Sequence, residues 1–297
     1  MYTYSIIIPH KNCPNLLQRC MNSIPEREDI QIIVIDDNSD ADKKPSIDRN
    51  GVEVVLLDAE HSKGAGRARN VGLERAKGKW LLFADSDDFY TKEAFEVLDK
   101  YIDTDFELVY YNCKSVNSIT MEPSHRTNHI NNILKVYSNN SCKENVNRLK
   151  YNVHEPWNKL VRHSFLTKHG IRFEEVKKAN DILFTFMVGF FAKKIAVETD
   201  FVYVCTYRDN SITYSINKIE YAVRRFEFEL CKNYFFKIYS FNNLKVPSYI
   251  VLLRIIKNLP VSCWLEFIKN LFINYKSISK NKTKYVDTAK EIVNKTC

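Results

Sequence analysis

The stretch from Trp80 to Asp88 reads W-L-L-F-A-D-S-D-D and decides the fold that we expect. Its apolar part, Trp80–Ala84, has the length and bulk of a buried strand. Three carboxylates follow within four residues, at Asp85, Asp87 and Asp88. Like charges repel one another and are costly to desolvate. This cluster of carboxylates is therefore typical of a site that binds a divalent cation such as Mg²⁺ or Mn²⁺. The alternative is a solvated acidic turn that begins the next helix.

Three further apolar runs precede this strand, at Tyr4–Ile8, Ile30–Ile35 and Val52–Leu57. Unbroken apolar runs are typical of parallel strands that are covered on both faces. Segments with helical spacing lie between the runs, and a helix at about 91–102 and a strand at about 107–111 continue the pattern. Strands that alternate with helices predict an α/β fold with a layered sheet.

Polar residues follow three of the predicted strands, at Pro9–Asn12, Asp36–Ser39 and Asp85–Asp88. In an open α/β sheet, ligands bind at the carboxyl ends of the strands. We therefore expect these three polar clusters to converge on one edge of the sheet and to form a binding site. Turn chemistry alone is the alternative explanation for Asp36 and Asn38, and we prefer it for Asn38.

Four motifs in this order carry a resemblance to a known family: S-I-I-I-P at 5–9, I-V-I-D-D-N-S at 33–39, A-R-N-V-G at 68–72 and D-S-D-D at 85–88. The sequence resembles a family 2 glycosyltransferase with the GT-A fold, of the kind that makes bacterial cell-surface polysaccharides. The resemblance is dense over residues 4–90, thinner over 155–210, and fades beyond about residue 215. It implies a Rossmann-like α/β sheet with a C-terminal helical extension.

The resemblance also implies roles for single residues. It places a nucleotide base on Asp37, and the D-S-D-D segment corresponds to the DXD motif, whose carboxylates hold a metal ion and contact the ribose. Asp87 and Asp88 are the expected metal pair, although the sequence does not decide which of the three carboxylates binds Mn²⁺ or Mg²⁺. The expected donor-binding residues are Pro9, Asp37, Arg69, Asp85, Ser86, Asp87 and Trp157.

Basic residues surround the start of the helix predicted at about 65–77. Helix N-termini attract phosphate groups, and nearby cations strengthen that attraction. Arg69 matches the Arg of the family's A-R-N motif and is the expected phosphate ligand, whereas Lys63 and Arg67 are expected to be solvated.

The second half of the resemblance supplies two more candidates. Pro156–Leu160 reads P-W-N-K-L and resembles a segment that lines the sugar pocket in the family; a core tryptophan is the alternative for Trp157. Asp181 corresponds to the general base of the family's E-D-x-x-F motif, but Asn180 replaces the usual Glu. A helix-start acidic residue is the alternative for Asp181. The Asn-rich stretch 112–152 is expected to form loops and a short helix.

Composition limits the classes of protein that fit. Hydrophobic content of 45% and charged content of 27% are those of a globular chain and exclude wholesale disorder. The eight cysteines include no C-x-x-C pair, which argues against a zinc site or a disulfide scaffold. The N-terminus shows no basic region typical of a signal peptide, so we expect a cytoplasmic protein.

The net charge of +8 is concentrated in residues 218–297, which hold 15 Lys and Arg but only 6 Asp and Glu. No nucleic-acid motif accompanies this charge. Within it, Tyr249–Asn274 is rich in apolar residues but has no uncharged run long enough to span a bilayer. Two amphipathic helices there would lie on the cytoplasmic face of a membrane, pack on the catalytic domain, or contact another subunit.

Together these features predict three regions: 1–112 binds the nucleotide sugar, 113–215 provides the acceptor and catalytic half, and 216–297 is a basic helical extension. The expected function is inverting transfer of a sugar from a nucleotide donor, most simply a UDP-sugar, to a hydroxyl of a glycan or lipid-linked acceptor. Two alternatives stay open: a non-catalytic membrane partner that resembles a glycosyltransferase, and a sugar nucleotidyltransferase. The latter usually carries a Gly-rich basic loop where this chain has Pro9–Asn12. Donor sugar, acceptor, linkage and oligomeric state are not specified by the sequence.

Overall fold

The structure is a computed structural model that describes residues 1–47, 49, 51–176, 179–207, 218–239, 244–281 and 284–296. The chain divides into two compact units, Met1–Arg208 and Asp209–Cys297. The boundary predicted at 215/216 lies outside the described residues, and the division of the first unit at 112/113 stays a prediction.

The described part of the first unit contains one mixed sheet of eight strands and seven α-helices. The strands are β1 (Tyr4–His10), β2 (Ile30–Asp36), β3 (Val52–Leu56), β4 (Trp80–Phe83), β5 (Phe89–Tyr90), β6 (Leu108–Asn117), β7 (Lys159–Arg162) and β8 (Ile195–Tyr207). The helices are α1 (Pro14–Asn22), α2 (Ala65–Arg75), α3 (Ala94–Asp99), α4 (Asn128–Asn139), α5 (Lys143–Asn152), α6 (His163–His169) and α7 (Ile182–Phe191). This arrangement confirms the predicted α/β fold.

The sheet has the strand order β3-β2-β1-β4-β7-β6-β8-β5. Strands β1 to β4 are parallel to one another, β7 is antiparallel to both of its neighbours, and β6 runs parallel to β8. Every residue of β1, β2 and β4 is buried, which agrees with their predominantly apolar sequences. Consequently the carboxyl ends of these three strands meet at one edge of the sheet, as the sequence predicts.

Helix α2 packs very closely on β1 at Gly72. A Cβ atom at this position would lie 2.4 Å from Cγ2 of Ile7, so only glycine allows the observed approach. Proline at the first position of α1 fits the expected helix start, because its missing N–H has no partner there in any helix. These two helices fix the sheet edge where the polar clusters gather.

Some boundaries differ from those predicted. The third apolar run was expected to be covered on both faces, but β3 lies at the edge of the sheet, and Val54 and Leu56 are exposed. The helix expected at 91–102 is shorter and spans only Ala94–Asp99.

The Asn-rich stretch 112–152 is also more ordered than predicted, since it contains the end of β6 and the helices α4 and α5. Ile130, Ile133 and Leu134 are buried from α4, and their i, i+3, i+4 spacing was the overlooked helical signal. The abundant asparagines on the other face concealed this short apolar stripe.

The second unit is helical in its described residues, as predicted for the C-terminal extension. Its helices are α8 (Lys218–Ile238), α9 (Ser248–Lys257), α10 (Trp264–Asn281) and α11 (Lys284–Thr296). Helix α8 packs against the other three and buries Phe228, Phe235 and Phe236. None of the helices within the described ranges is long and apolar enough to cross a membrane.

Candidate active site

A fully buried hydrogen-bond network joins the ends of β1 and β2. Nδ1 of His10 lies 2.8 Å from Oδ1 of Asp36, and the backbone N–H of Cys13 donates to Nε2 of the same ring. Oδ2 of Asp36 accepts the backbone N–H of Ser39, whose hydroxyl also donates to this carboxylate. Burial raises the pKa of Asp36, but the hydrogen bonds from Ser39 and His10 outweigh it and hold the pKa below its usual value. The carboxylate therefore stays ionised and fixes the turn after β2.

Asp37 follows Asp36 in the sequence and is the residue predicted to bind the nucleotide base. Its carboxylate accepts the backbone N–H of Gly64, at 3.1 Å from Oδ2, and Nζ of Lys11 lies 3.7 Å from the same oxygen. The next residue, Asn38, has a φ of 60°, which confirms the turn role that we preferred for it. The side chain of Asp37 is only 7% exposed, so its orientation is fixed before any ligand binds.

Arg69 connects the two halves of the first unit. One terminal nitrogen donates to Oδ1 of Asp85, at 2.6 Å, and the other donates to Oδ1 of Asn180, at 2.8 Å. Its guanidinium also lies over the ring of Phe173. Among the described residues, the buried Nε of Arg69 has no hydrogen-bond partner. Arg69 thus links the end of β4 to the segment that precedes α7.

The other two basic residues near the start of α2 contact a surface carboxylate. Nη1 of Arg67 lies 3.2 Å from Glu175, and Nζ of Lys63 lies 3.9 Å from the same residue. The side chain of Lys63 is 57% exposed and that of Arg67 is 28% exposed. Lys63 is solvated as expected, whereas Arg67 is partly covered.

The three carboxylates after β4 have different surroundings. Asp85 and Asp87 are partly exposed, whereas Asp88 is buried and accepts the backbone N–H of Thr206, at 2.6 Å. Burial, together with the charges of Asp87 and Asp85, raises the pKa of Asp88 well above its usual value. The Asp88 carboxylate is thus buried and hydrogen-bonded to β8, and this geometry does not favour it as a direct metal ligand.

The partly exposed carboxylates of Asp85 and Asp87 do fit a hard divalent cation, because both are oxygen donors at the open end of a strand. In the part of the chain that the structure describes, no group of three or more His, Cys, Asp or Glu side chains is arranged as a complete metal site. A cation here would therefore need further oxygen ligands from a bound diphosphate or from water. The metal ligands stay a prediction.

Ser86 and Pro9 are the remaining residues predicted to bind the donor near the strand ends. The Ser86 hydroxyl lies 3.2 Å from the sulfur of Cys13, and Pro9 is buried within β1, opposite Ile35 of β2. Burial raises the pKa of the Cys13 thiol, but hydrogen bonds with His10 and Ser86 outweigh it, so the pKa is lowered. Neither His10 nor Cys13 was assigned a role from the sequence; the only available signal was their place after an apolar strand.

Trp157 is 7% exposed and stacks on Tyr203, with 5.3 Å between the ring centroids. The Tyr203 hydroxyl accepts the backbone N–H of Asp85, so the stacked pair borders the carboxylates after β4. Trp157 is thus a core residue beside the carboxylates after β4, and its pocket-lining role stays a prediction.

Asp181 is the residue immediately before α7, and its side chain makes no capping hydrogen bond to that helix. Burial raises its pKa to about 6, against the opposing effect of the positive charge of Arg69; the charges of Glu155 and Asp85 add to the rise. A partly exposed carboxylate with a raised pKa is a stronger base than an ordinary Asp. Asp181 thus has the properties that proton abstraction requires.

Lys159 was quoted within the P-W-N-K-L motif but received no predicted role. It is fully buried, and Nζ donates to the carbonyls of Val153 and Glu155 and to Oδ1 of Asn158. Burial lowers its pKa to about 7, although the charge of Glu155 opposes that change. With all three N–H groups used, Lys159 fixes the backbone on either side of Trp157.

Comparison with known proteins supports one assignment. The sequence profile described as "Glycosyl transferase family 2" matches residues 5–168. The poly(ribitol-phosphate) beta-N-acetylglucosaminyltransferase TarS of Staphylococcus aureus is 27% identical over 212 residues, which are 68% of this chain and 35% of TarS. The poly(ribitol-phosphate) beta-glucosyltransferase of Bacillus spizizenii is 29% identical over 210 residues, which are 67% of this chain and 31% of that protein. The chain thus spans about a third of the length of these relatives.

Solved structures extend the similarity to the whole chain at the level of the fold. A crystal structure of an S. aureus TarS fragment in complex with UDP-GlcNAc matches with a TM-score of 0.56 and 20% identity. That match covers 100% of this chain and 82% of the TarS fragment. A complex of the same fragment with UDP matches with a TM-score of 0.57.

Proposed function

Since the chain belongs to glycosyl transferase family 2 and has the predicted GT-A fold, we propose that it transfers a sugar from a UDP-sugar to a hydroxyl of a glycan or lipid-linked acceptor, with inversion at the anomeric carbon. The names of the curated relatives describe sugar transfer to poly(ribitol-phosphate), which supports a cell-surface polymer as the acceptor class. Bound UDP-GlcNAc and UDP in the TarS crystals support the donor class.

The observation that carries this proposal is the position of Arg69 between Asp85 and Asn180. One buried cation ties the carboxylates after β4 to the segment that holds Asp181. Its unpartnered Nε leaves one N–H available for a phosphate oxygen. A donor diphosphate near Asp85 and an acceptor hydroxyl near Asp181 would then meet around the same guanidinium.

In this proposal, Asp37 accepts the imide N–H of the uracil ring, and Pro9, Asp85, Ser86 and Trp157 line the donor site. Asp87 would hold Mn²⁺ or Mg²⁺, with Asp85 beside it, while the buried Asp88 positions the loop through Thr206. The cation supplies Lewis-acid stabilisation of the charge on the departing diphosphate. The protein's own part is to hold donor and acceptor in line, which contributes much of the rate acceleration.

Asp181 is the proposed general base. The attacking acceptor hydroxyl must lose its proton as its oxygen bonds to the anomeric carbon, and a carboxylate within hydrogen-bond reach can accept that proton. The raised pKa of about 6 makes Asp181 a better proton acceptor while leaving it ionised at neutral pH. Asn180 contributes no charge there, because its side chain is a neutral amide, and its amide oxygen accepts a hydrogen bond from Arg69.

Measuring what the protein releases from a nucleotide sugar tests the proposed function. With UDP-GlcNAc or UDP-glucose, Mn²⁺ and a poly(ribitol-phosphate) acceptor, we expect free UDP to form with transfer of the sugar. Asp87→Asn should abolish the Mn²⁺-dependent part of UDP binding and leave the fold intact, whereas the surface variant Glu144→Gln should behave as wild type. Release of pyrophosphate from UTP and a sugar phosphate would instead identify a nucleotidyltransferase. No turnover and no UDP binding would identify a non-catalytic partner.

For the second unit, we propose contact with an anionic membrane surface through the segment 249–274. Leu265, Phe272 and Val261 are 87%, 76% and 73% exposed, and the exposed basic residues Arg254, Lys257 and Lys269 lie in the same segment. Apolar side chains flanked by cations are typical of helices that lie in a membrane interface. Cosedimentation with phosphatidylserine vesicles should exceed that with phosphatidylcholine vesicles, and Leu265→Glu with Phe272→Glu should abolish it. Equal sedimentation of this double variant would refute the contact.

A further inference from the structure

Glu155 lies two residues before Trp157, in the segment that leads into the short 3-10 helix Pro156–Asn158. Its side chain is 25% exposed, and Oε1 lies 3.6 Å from Nε2 of His129. Within the described ranges, Oε2 is buried and has no hydrogen-bond partner. One oxygen of this carboxylate therefore lies near the His129 ring, and the other is still able to accept a hydrogen bond.

The backbone around Glu155 is held firmly. Nζ of the buried Lys159 donates to the carbonyl oxygens of Val153 and Glu155. The hydroxyl of Thr185, in α7, lies 3.1 Å from the carbonyl oxygen of His154 and 3.0 Å from that of Asp181. Because the Thr185 hydroxyl contacts both segments, Glu155 lies close to the proposed general base although the two residues are 26 positions apart in the sequence.

The lack of a hydrogen-bond partner for Oε2 of Glu155 among the described residues is unusual for a buried oxygen. Buried polar atoms are nearly always hydrogen-bonded, and an unpaired acceptor costs about 1–3 kcal/mol. Burial raises the pKa of Glu155, but a hydrogen bond from His129 and the charge of Lys159 outweigh it, so the group stays ionised. An ionised carboxylate accepts hydrogen bonds but cannot donate one, so its missing partner must carry a donor, such as a hydroxyl group.

A second buried polar atom without a partner in the described residues belongs to Asn158, the residue after Trp157. Nδ2 of Asn158 is buried and, in the part of the chain that is described, has no partner, whereas Oδ1 of the same amide accepts from Lys159. A free acceptor and a free donor thus flank the tryptophan in the sequence. A sugar hydroxyl both donates and accepts, and the apolar face of a sugar packs well on an aromatic ring.

We propose, on the basis of the function proposed above, that Glu155 is a specificity-determining residue whose Oε2 accepts a hydrogen bond from a hydroxyl of the transferred sugar. The sugar of the donor must lie between the diphosphate near Asp85 and the acceptor near Asp181. The Glu155–Trp157 segment borders both places, through Tyr203 on one side and Thr185 on the other. In this arrangement Glu155 contacts the sugar, whereas Asp37 binds the uracil base and Arg69 binds the diphosphate.

Binding measurements on intact protein separate the sugar from the nucleotide. Calorimetric titration with UDP-GlcNAc, UDP-glucose and UDP, each with Mn²⁺, gives three dissociation constants for each variant. For Glu155→Met, which keeps the side-chain length but cannot accept a strong hydrogen bond, we expect the affinity for the better-bound UDP-sugar to fall about tenfold or more. The affinity for UDP should change less than twofold. Glu155→Gln, which keeps a neutral acceptor, should lie between Met and wild type.

Controls keep the result interpretable. Glu144→Met, at an exposed position of α5, should bind all three ligands as wild type does. Circular dichroism and a thermal melt establish that each variant is folded, and Glu155→Gln serves if the Met variant is not. Equal losses of UDP and UDP-sugar affinity, or a change confined to the acceptor KM, would overturn the assignment of Glu155. If wild-type protein transfers sugar normally and Glu155 variants bind UDP-sugar normally, only this assignment fails; if wild type binds no UDP-sugar, the proposed function fails first.

Discussion

The proposed nucleotide side of the candidate site, at the ends of β1 and β2, and the proposed sugar side, around Trp157 and Asp181, are built in opposite ways. At the ends of β1 and β2, the Asp36 carboxylate is covered and receives hydrogen bonds from His10 and Ser39. Around Trp157 and Asp181, the acceptor of Glu155 and the donor of Asn158 have no partner among the described residues. The hydrogen bonds of the Asp36 carboxylate are thus made within the protein, whereas Glu155 and Asn158 each keep an atom that can bond to a ligand.

This difference also appears in the electrostatics. The pKa of Asp36 is lowered, because hydrogen bonds from Ser39 and His10 outweigh its burial, whereas burial raises that of Asp181 to about 6. A carboxylate with a lowered pKa stabilises the fold when ionised, and one with a raised pKa destabilises it. Ionised Asp36 therefore contributes to the stability of the fold, whereas ionised Asp181 lowers it. Active sites commonly carry such destabilising groups.

The largest expected effect is on the rate of the Asp181→Asn variant. Without a base, transfer should fall by about 10²-fold or more, because general base catalysis typically contributes that much. The affinity for UDP with Mn²⁺ should stay within about twofold of wild type, because Asp181 does not contact the nucleotide in the proposed site. Radiolabelled transfer assays and calorimetry measure these two quantities. A folded Asp181→Asn enzyme with near-normal turnover would remove Asp181 from the mechanism.

The same variant should be more stable than wild type at pH 7. The unfolded-state pKa of an Asp is about 3.9, and the folded value is about 6, so the native state binds more protons between these values. The cost of ionised Asp181 is thus fully present above pH 6 and disappears as the pH falls through 6 towards 4. Thermal melts at pH 7 and pH 4 should show a gain in melting temperature for Asp181→Asn only at the higher pH. A simple helix-start role would instead lower stability by a few tenths to 1 kcal/mol.

The pH dependence of wild-type transfer follows from the same group. Asp181 must be deprotonated to accept a proton, so the rate should rise with pH through about 6 and fall about tenfold for each unit below that. Because the proposed base acts on the acceptor hydroxyl and not on the bound donor, the fall should appear in kcat at saturating donor. A flat kcat between pH 5 and pH 7 would contradict this assignment.

The sequence predicted the positions of the strand-end residues better than the contacts around Arg69 and Asp88, for a physical reason. Asp37 and Asp85 directly follow apolar strands, and parallel strands bring their carboxyl ends together whatever the details of packing. Local sequence therefore sufficed to place them on one edge. The same logic explains why β1, β2 and β4 were predicted nearly residue by residue.

The contacts of the sugar side depend on distant segments and were therefore not visible in the sequence. Arg69 and Asn180 are 111 residues apart, and Asp88 and Thr206 are 118 residues apart. The spacing of residues in the sequence could not show that Asp88 is covered by β8. Edge strand β3 was misjudged for a similar reason, since a run of apolar residues does not reveal how many neighbours a strand will have.

The smallest expected effect is on stability, and it tests the nucleotide side. In Asp36→Asn the side chain keeps its shape but can accept at only one atom, so one of the bonds from His10 and Ser39 must be lost. We expect a loss of about 1–3 kcal/mol in the free energy of unfolding at pH 7, measured by urea denaturation. Because the folded pKa of Asp36 is depressed, its contribution is present above the unfolded value of about 3.9 and is lost as the pH falls below it. The difference in the free energy of unfolding between Asp36→Asn and wild type should therefore become smaller in acid.

The same Asp-to-Asn change thus lowers stability at position 36 and raises it at position 181. If both variants shifted stability in the same direction at pH 7, the contrast between the two sides would be wrong, and the unpartnered oxygen of Glu155 would lose its meaning as a mark of the ligand-binding side.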